Sequence, residues 1–293
     1  MSKPSRPAAT ARPGGAPASP LSARGDRHFD GLADKFAGSL YGASRGALRL
    51  ALLDRLLPEM LELDGQPLLD VGGGLGQLAA WFASRGHRVT LVDPSAEMLA
   101  RAETHLAEHL SEPLAERQVS LLHAPLQELP SLAPGPWRLI ACHAVLEWLA
   151  DPRGAMATLA GLLAPGGQLS LMVFNRDALR FSNVVKGNLE KAMADRLEGT
   201  GQRQRLTPIS PLTHAQVEAW SQACGLEIRE VAGIRVFHDY LRTPPADERE
   251  QARLLELEHR YCRVDPHWRL GRYLLYTLER PLSPSSSTQE SPA

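Results

Sequence analysis

Residues 68–77 read Leu-Leu-Asp-Val-Gly-Gly-Gly-Leu-Gly-Gln, and a second short apolar run ends in Val92-Asp93-Pro94. Few patterns restrict a fold as strongly. An apolar run that breaks into a glycine cluster describes a buried strand turning at once into a helix. Glycine lets the backbone take left-handed dihedrals and approach a ligand without a Cβ in between. A following strand with an acid at its tip sets a carboxylate where an open α/β sheet meets ribose hydroxyls. The pair predicts a nucleoside-containing ligand at the carboxyl edge of the sheet.

The glycine spacing narrows the choice of nucleoside. A dinucleotide loop wants G-x-G-x-x-G. Counted from Gly72, the third glycine would fall at position 77, which is Gln77. The glycines present are Gly72, Gly73, Gly74 and Gly76, a G-x-G-x-G pattern with Asp70 before it. This resembles the first motif of class I S-adenosylmethionine-dependent methyltransferases and disfavours a dinucleotide-dependent oxidoreductase.

Bulk properties close off other classes. A chain of 293 residues, 43% apolar and 22% charged, can bury a substantial core. A net charge of −1 gives no global attraction to nucleic acid, so any such contact must use a local patch. Cys142, Cys224 and Cys262 are odd in number and far apart, without C-x-x-C. That argues for a reduced cytoplasmic protein with no metal site and no disulfide framework. No uncharged apolar run approaches the roughly 18 residues that span a bilayer, so no membrane association is expected.

Residues 1–25 and 281–293 are rich in Pro, Ser and Ala and read as disordered tails flanking one domain, 26–280. Phe29, Leu32, Ala33, Phe36 and Leu40 form a helical stripe, an N-terminal cap, and Leu48, Leu52, Leu56 and Met60 recur every four residues in a second helix. Strands are predicted at 67–71, 88–92, 119–123, 137–142 and 168–174, alternating with helices. Ser95 caps one helix, with Met98, Ala102 and Leu106 on its inner face. Such alternation implies a parallel sheet with helices on both faces. Residues 175–212 carry seven Lys or Arg against four acids, an excess of +3, and read as an inserted lid. A helix near 213–224 and segments at 227–238 and 272–280 complete a seven-stranded, mostly parallel sheet with a C-terminal antiparallel hairpin. This α/β arrangement resembles the fold of class I methyltransferases.

Several blocks carry a narrower likeness: Arg27-His28-Phe29-Asp30, Gly46-Ala47-Leu48-Arg49, His143-Ala144-Val145-Leu146-Glu147-Trp148, Gly233-Ile234-Arg235-Val236-Phe237-His238-Asp239-Tyr240-Leu241-Arg242, Arg260-Tyr261-Cys262-Arg263 and Leu270-Gly271-Arg272-Tyr273. With them, residues 27–280 resemble the bacterial tRNA 5-carboxymethoxyuridine methyltransferases. Leu75 departs from that family, which carries an acid at this point of the loop.

The resemblance implies S-adenosyl-L-methionine as cofactor and the tRNA anticodon stem-loop carrying 5-carboxymethoxyuridine as partner, esterified on its carboxylate. It implies that Arg49 grips the methionyl carboxylate, that Gly72 and Gly73 admit the methionyl and ribose parts, and that Asp93 accepts the ribose hydroxyls. Leu126 and Gln127 would flank adenine, and His143 would sit near the reacting end. No residue is assigned as a catalytic base, because a carboxylic acid of ordinary acidity is already ionised at pH 7. Arg235, Tyr240 and Arg242, alternating with apolar residues, are candidates for substrate contact. On composition alone, Arg49 could equally be a solvated helix charge, Asp93 a helix cap and His143 a packing residue. A methyltransferase acting on a small acid or quinone precursor, or a non-catalytic RNA- or cofactor-binding protein, are the other readings.

Overall fold

The computed structural model describes residues 21–29, 31, 44–111, 118–198 and 208–282. The expected helix over 29–40 and most of both tails lie outside the described residues. Leu21 forms a bridge with Arg27, so order extends into the last residues of the expected N-terminal tail.

Among the described residues, seven strands form one sheet: β1 (Leu68–Val71), β2 (Val89–Asp93), β3 (Val119–His123), β4 (Trp137–His143), β5 (Leu163–Phe174), β6 (Glu227–Ile234) and β7 (Tyr273–Glu279). Their order is β3-β2-β1-β4-β5-β7-β6. The first five are parallel, and β7 runs antiparallel between β5 and β6. All four residues of β1 are buried, as befits a central strand covered on both faces. Side chains alternate across the pleat: Leu139 and Ala141 enter one apolar cluster, Ile140 and Cys142 the other.

Helices cover these faces: α1 (Ser44–Met60), α2 (Gln77–Ala83), α3 (Ala96–His109), α4 (Pro152–Leu162), α5 (Arg176–Val185), α6 (Leu189–Met193), α7 (His214–Ala223) and α8 (Glu248–Tyr261). In α1 the four-residue repeat is a buried stripe, with Leu52 and Leu56 fully enclosed. The Ser95 hydroxyl accepts the Met98 N–H at 3.2 Å, and Met98, Ala102 and Leu106 are buried, as the cap and spacing required.

Three departures from expectation matter for the site. β5 starts at Leu163, running through Pro165-Gly166-Gly167 with an irregularity opposite Trp137. β6 stops at Ile234 because Arg235 takes φ 62° and breaks the extended backbone. Finally, β6 and β7 pair antiparallel but are joined through α8, a helix whose only buried residues are Leu254 and Glu258.

Leu56→Ala should lower stability by about 2–5 kcal/mol through lost burial and a residual cavity. Urea unfolding checks this; an unchanged midpoint would show that α1 does not hold the core together.

Candidate active site

The loop after β1 is built from its glycines. Gly72, Gly74 and Gly76, the three in alternate positions, all have positive φ, at 68°, 56° and 81°. A Cβ on Gly72 would stand 2.3 Å from Val145 Cγ2. One on Gly73 would stand 2.5 Å from Leu91 Cγ and 2.8 Å from Asp70 Oδ2. The N–H groups of Gly72 and Gly73 both reach the Val92 carbonyl, at 2.7 and 3.1 Å. Asp93, 7% exposed, accepts the Gly74 N–H at 3.0 Å on one oxygen and the Ser95 N–H at 2.9 Å on the other. The tips of β1 and β2 are thereby locked together.

Beside this loop a cavity of about 1160 Å³ opens at the carboxyl ends of β1, β2 and β4. This is where crossovers reverse direction and open sheets bind ligands. Arg49, Gly72, Gly73, Asp93, Leu126, Gln127 and His143 all line it. Arg49 projects from α1 and is 5% exposed, its Cζ 5.8 Å from the centre of the Tyr273 ring. Leu126 and Gln127 follow β3 in a helical turn. Asp26 accepts the Gln127 Nε2 hydrogen at 3.0 Å and the Ala150 N–H at 2.8 Å, which leaves the buried Gln127 Oε1 without a partner.

Two further acids, unassigned by sequence, belong to the wall. Asp70 is 2% exposed and its Oδ2 has no hydrogen-bond partner. Burial, and the nearby Asp93 charge, push its pKa up to about 7. Glu147 is 1% exposed with neither oxygen hydrogen-bonded, and burial pushes it up to about 8, partly offset by neighbouring amides and Arg49. His143 lies 2.8 Å from Ser170 Oγ through Nε2. Burial and the Arg49 charge depress it to about 3, so it is neutral and a poor base at pH 7.

The far end of the cavity is cationic and aromatic. Arg235, 6% exposed, donates from Nη2 to Asp239 Oδ2 at 2.9 Å, and Arg272 Nε donates to the same oxygen at 2.9 Å. Arg235 Cζ lies 5.6 Å from the Tyr273 ring centre, and Arg272 Cζ lies 5.3 Å from that of Phe174. A left-handed arginine is strained by roughly 1–3 kcal/mol. What holds it is Glu258 of α8, fully buried, whose carboxylate accepts the N–H groups of Val236, Phe237 and His238 at 2.5, 3.0 and 2.7 Å.

Of the three substrate candidates, only Arg235 reaches the cavity. The Tyr240 hydroxyl donates to the Leu270 carbonyl at 2.8 Å, and its ring packs edge-on against Phe181. Arg242 is exposed beyond the pocket. The expected alternation along a strand fails here because the strand has already ended. In the segment read as a lid, Arg176 pairs with Asp195 and Glu198, and Arg180 with Asp177 and Asp195, so two of its cations are tied down by acids of the same segment while the net excess of +3 stands. His105, Glu108 and His109 bring potential metal-ligating atoms within 4.8 Å of one another on the surface of α3.

The methyltransferase domain family matches residues 43–231. Among solved structures, a chain in the complex of the Haloferax volcanii Trm112 methyltransferase activator with a methyltransferase superposes with a TM-score of 0.57 at 18% identity, covering 89% of this chain and 99% of that one. The cyclase SpnF has a TM-score of 0.53 at 20% identity, covering 82% of each chain, so the architecture by itself does not fix the chemistry. Fold, glycine loop and family match define a class I methyltransferase. Closer in sequence, the tRNA 5-carboxymethoxyuridine methyltransferase of Escherichia coli strain K12 is 42% identical over 265 residues, 88% of this chain and 98% of that protein. The ubiquinone biosynthesis O-methyltransferase of Xylella fastidiosa strain 9a5c is 31% identical over 188 residues, 64% of this chain and 70% of that protein. The chain belongs to the family of tRNA 5-carboxymethoxyuridine methyltransferases.

Asp70 and Glu147 have folded-state pKa values above their unfolded ones, so the native state holds more protons between about pH 4 and 8. Without ligand, stability should fall as pH rises through that window, by up to about 1.4 kcal/mol per pH unit for each group. Glu147→Gln should flatten the slope. Denaturant titrations from pH 5 to 8 measure it, and a variant with the wild-type slope would contradict the assignment.

Proposed function

We propose that the chain transfers the methyl group of S-adenosylmethionine to the carboxylate of 5-carboxymethoxyuridine at the wobble position of tRNA, giving the methyl ester, in the cytoplasm. The observation that carries this reading is the 42% identity extending over 98% of the relative, beyond the end of the generic methyltransferase match at residue 231.

The pocket suits the cofactor by its chemistry. Gln127 Oε1 and Asp70 Oδ2 are buried acceptors lacking donors, and Asp93 stands beside them. An adenine amino group, two ribose hydroxyls and an ammonium group are the donors such a wall wants. Arg49 offers a planar fork to the methionyl carboxylate. Gly72 and Gly73 let the main chain come close, Leu126 packs on adenine, Gln127 bonds its edge, and His143 borders the reacting end.

When bound, S-adenosylmethionine supplies an electrophilic methyl group. The acceptor carboxylate is ionised at pH 7, so no residue has to remove a proton. His143, neutral and bonded to Ser170, fits a positioning role and no proton transfer. The work left to the chain is alignment, and intramolecular analogues place the yield of alignment at about 7–11 kcal/mol. Exclusion of water from the acceptor falls to Trp148, Phe174 and Tyr273. Exposed cations outside the pocket, Arg242 with Lys186, Lys191 and Arg196 of the lid, suit phosphate contacts with the anticodon stem-loop.

Incubation with S-adenosylmethionine and tRNA bearing or lacking the carboxymethoxy group, followed by nucleoside analysis, tests the proposal. Ester formation only on the acid-bearing tRNA is expected. Methylation of a quinone precursor or small acid, with the tRNA untouched, would overturn it. Asp93→Asn, which keeps one acceptor for Gly74 or Ser95, should weaken S-adenosylhomocysteine binding by about 1–3 kcal/mol. Calorimetry giving wild-type affinity would remove Asp93 from the ribose.

A further inference from the structure

We propose that Arg272 and Arg235, aligned by Asp239, form the receptor for the acceptor's carboxylate, with Arg272 the determinant of preference for an acid over a neutral uridine. This rests on the functional reading above and assigns the residues it leaves open.

The argument begins with charge. Asp239 is one carboxylate shared by two guanidinium groups, and the Arg235, Arg272 and Asp239 side chains are 7%, 12% and 12% exposed. The trio therefore carries one uncompensated positive charge in a nearly dry pocket wall. Such a charge is costly unless an anion completes it.

Donors are also left over. An arginine has five N–H groups. Toward Asp239, Arg235 uses Nη2 and Arg272 uses Nε. Arg235 Nε is buried without a partner. Arg272 Nη2 has only a long 3.5 Å contact to Ser182 Oγ, and its Nη1 forms no hydrogen bond among the described residues.

Rigidity points the same way. The Arg272 N–H reaches the Arg235 carbonyl at 3.4 Å, and the Asn175 N–H donates to the Arg272 carbonyl at 3.0 Å. Asn175 in turn donates from Nδ2 to the carbonyls of Arg269 and Gly271. With Phe174 and Tyr273 beside them, both guanidinium groups are placed before any ligand arrives, which favours binding.

Location separates this receptor from the cofactor's. Arg49 and Arg235 both lie near the Tyr273 ring, at 5.8 and 5.6 Å. Two carboxylates can thus be held at separate cationic points around one aromatic ring. Asp239 has a second effect. By absorbing half of the positive charge it tempers the clamp, so the bound carboxylate keeps its nucleophilicity.

The test measures binding as well as turnover. Anticodon stem-loops carrying 5-carboxymethoxyuridine or neutral 5-methoxyuridine are titrated into protein saturated with S-adenosylhomocysteine, read by fluorescence anisotropy. Wild type should prefer the acid by about tenfold or more. Arg272→Met should bring that ratio close to one, with S-adenosylhomocysteine affinity unchanged. If that variant does not fold, Arg272→Lys, which keeps the charge and loses the fork, should lower the ratio without abolishing it. Asp239→Asn should keep the preference but lower kcat more than it changes KM. A preserved ratio in the Arg272 variants, or equal loss for both stem-loops (a phosphate contact), overturns the clamp while wild-type ester formation leaves the functional reading standing. No ester formed by wild type overturns both.

Discussion

The Val92 carbonyl, shared by the N–H groups of Gly72 and Gly73, and the Asp93 carboxylate, divided between Gly74 and Ser95, form one knot at the sheet edge. It satisfies backbone donors that a sharp strand-to-helix turn would otherwise leave buried and unpaired. It also fixes where α2 and α3 begin, and so where the cavity lies. Asp70 pays for this closeness: beside Asp93 and shut off from water, its carboxyl is raised toward neutrality.

The central sheet was readable because its strands are short, largely apolar runs separated by helical stretches, and the glycine spacing was readable because it is the spacing of left-handed residues. α8 was not. Only Leu254 and Glu258 of that helix are buried, so periodicity leaves almost no trace on it. Nor could the end of β6 be placed, since Ile234-Arg235-Val236 reads as strand until the φ of Arg235 is known. Glu147 escaped notice for a related reason. An acid in a run of apolar residues resembles a surface position, and nothing local reveals that its carboxyl is enclosed. Composition gave the lid's net charge but not its arrangement: Arg176 and Arg180 are gathered around Asp177, Asp195 and Glu198.

The site divides along the chain. Every group expected to hold the cofactor falls within residues 43–231, the span of the generic domain, while Arg235, Asp239, Arg272 and Tyr273 come after it. A fold shared with a cyclase and with other methyltransferases can keep its nucleoside half and change its chemistry by rebuilding the last two strands and their connection. The placement of β7 between β5 and β6 makes this practicable, because its first residue, Tyr273, arrives beside Phe174 at the cavity.

Glu258 shows how far such rebuilding can reach. It does not line the cavity, yet three consecutive main-chain amides close on its carboxylate and settle the direction in which the guanidinium of the preceding Arg235 leaves the chain. The outer side of the same helix is tied to α1 through Arg55 and Glu256, and the turn after it through Arg263 and Glu59. Drift in those surface pairs would act as a remote adjusting screw, re-aiming a cation by fractions of an ångström while every wall residue keeps its identity.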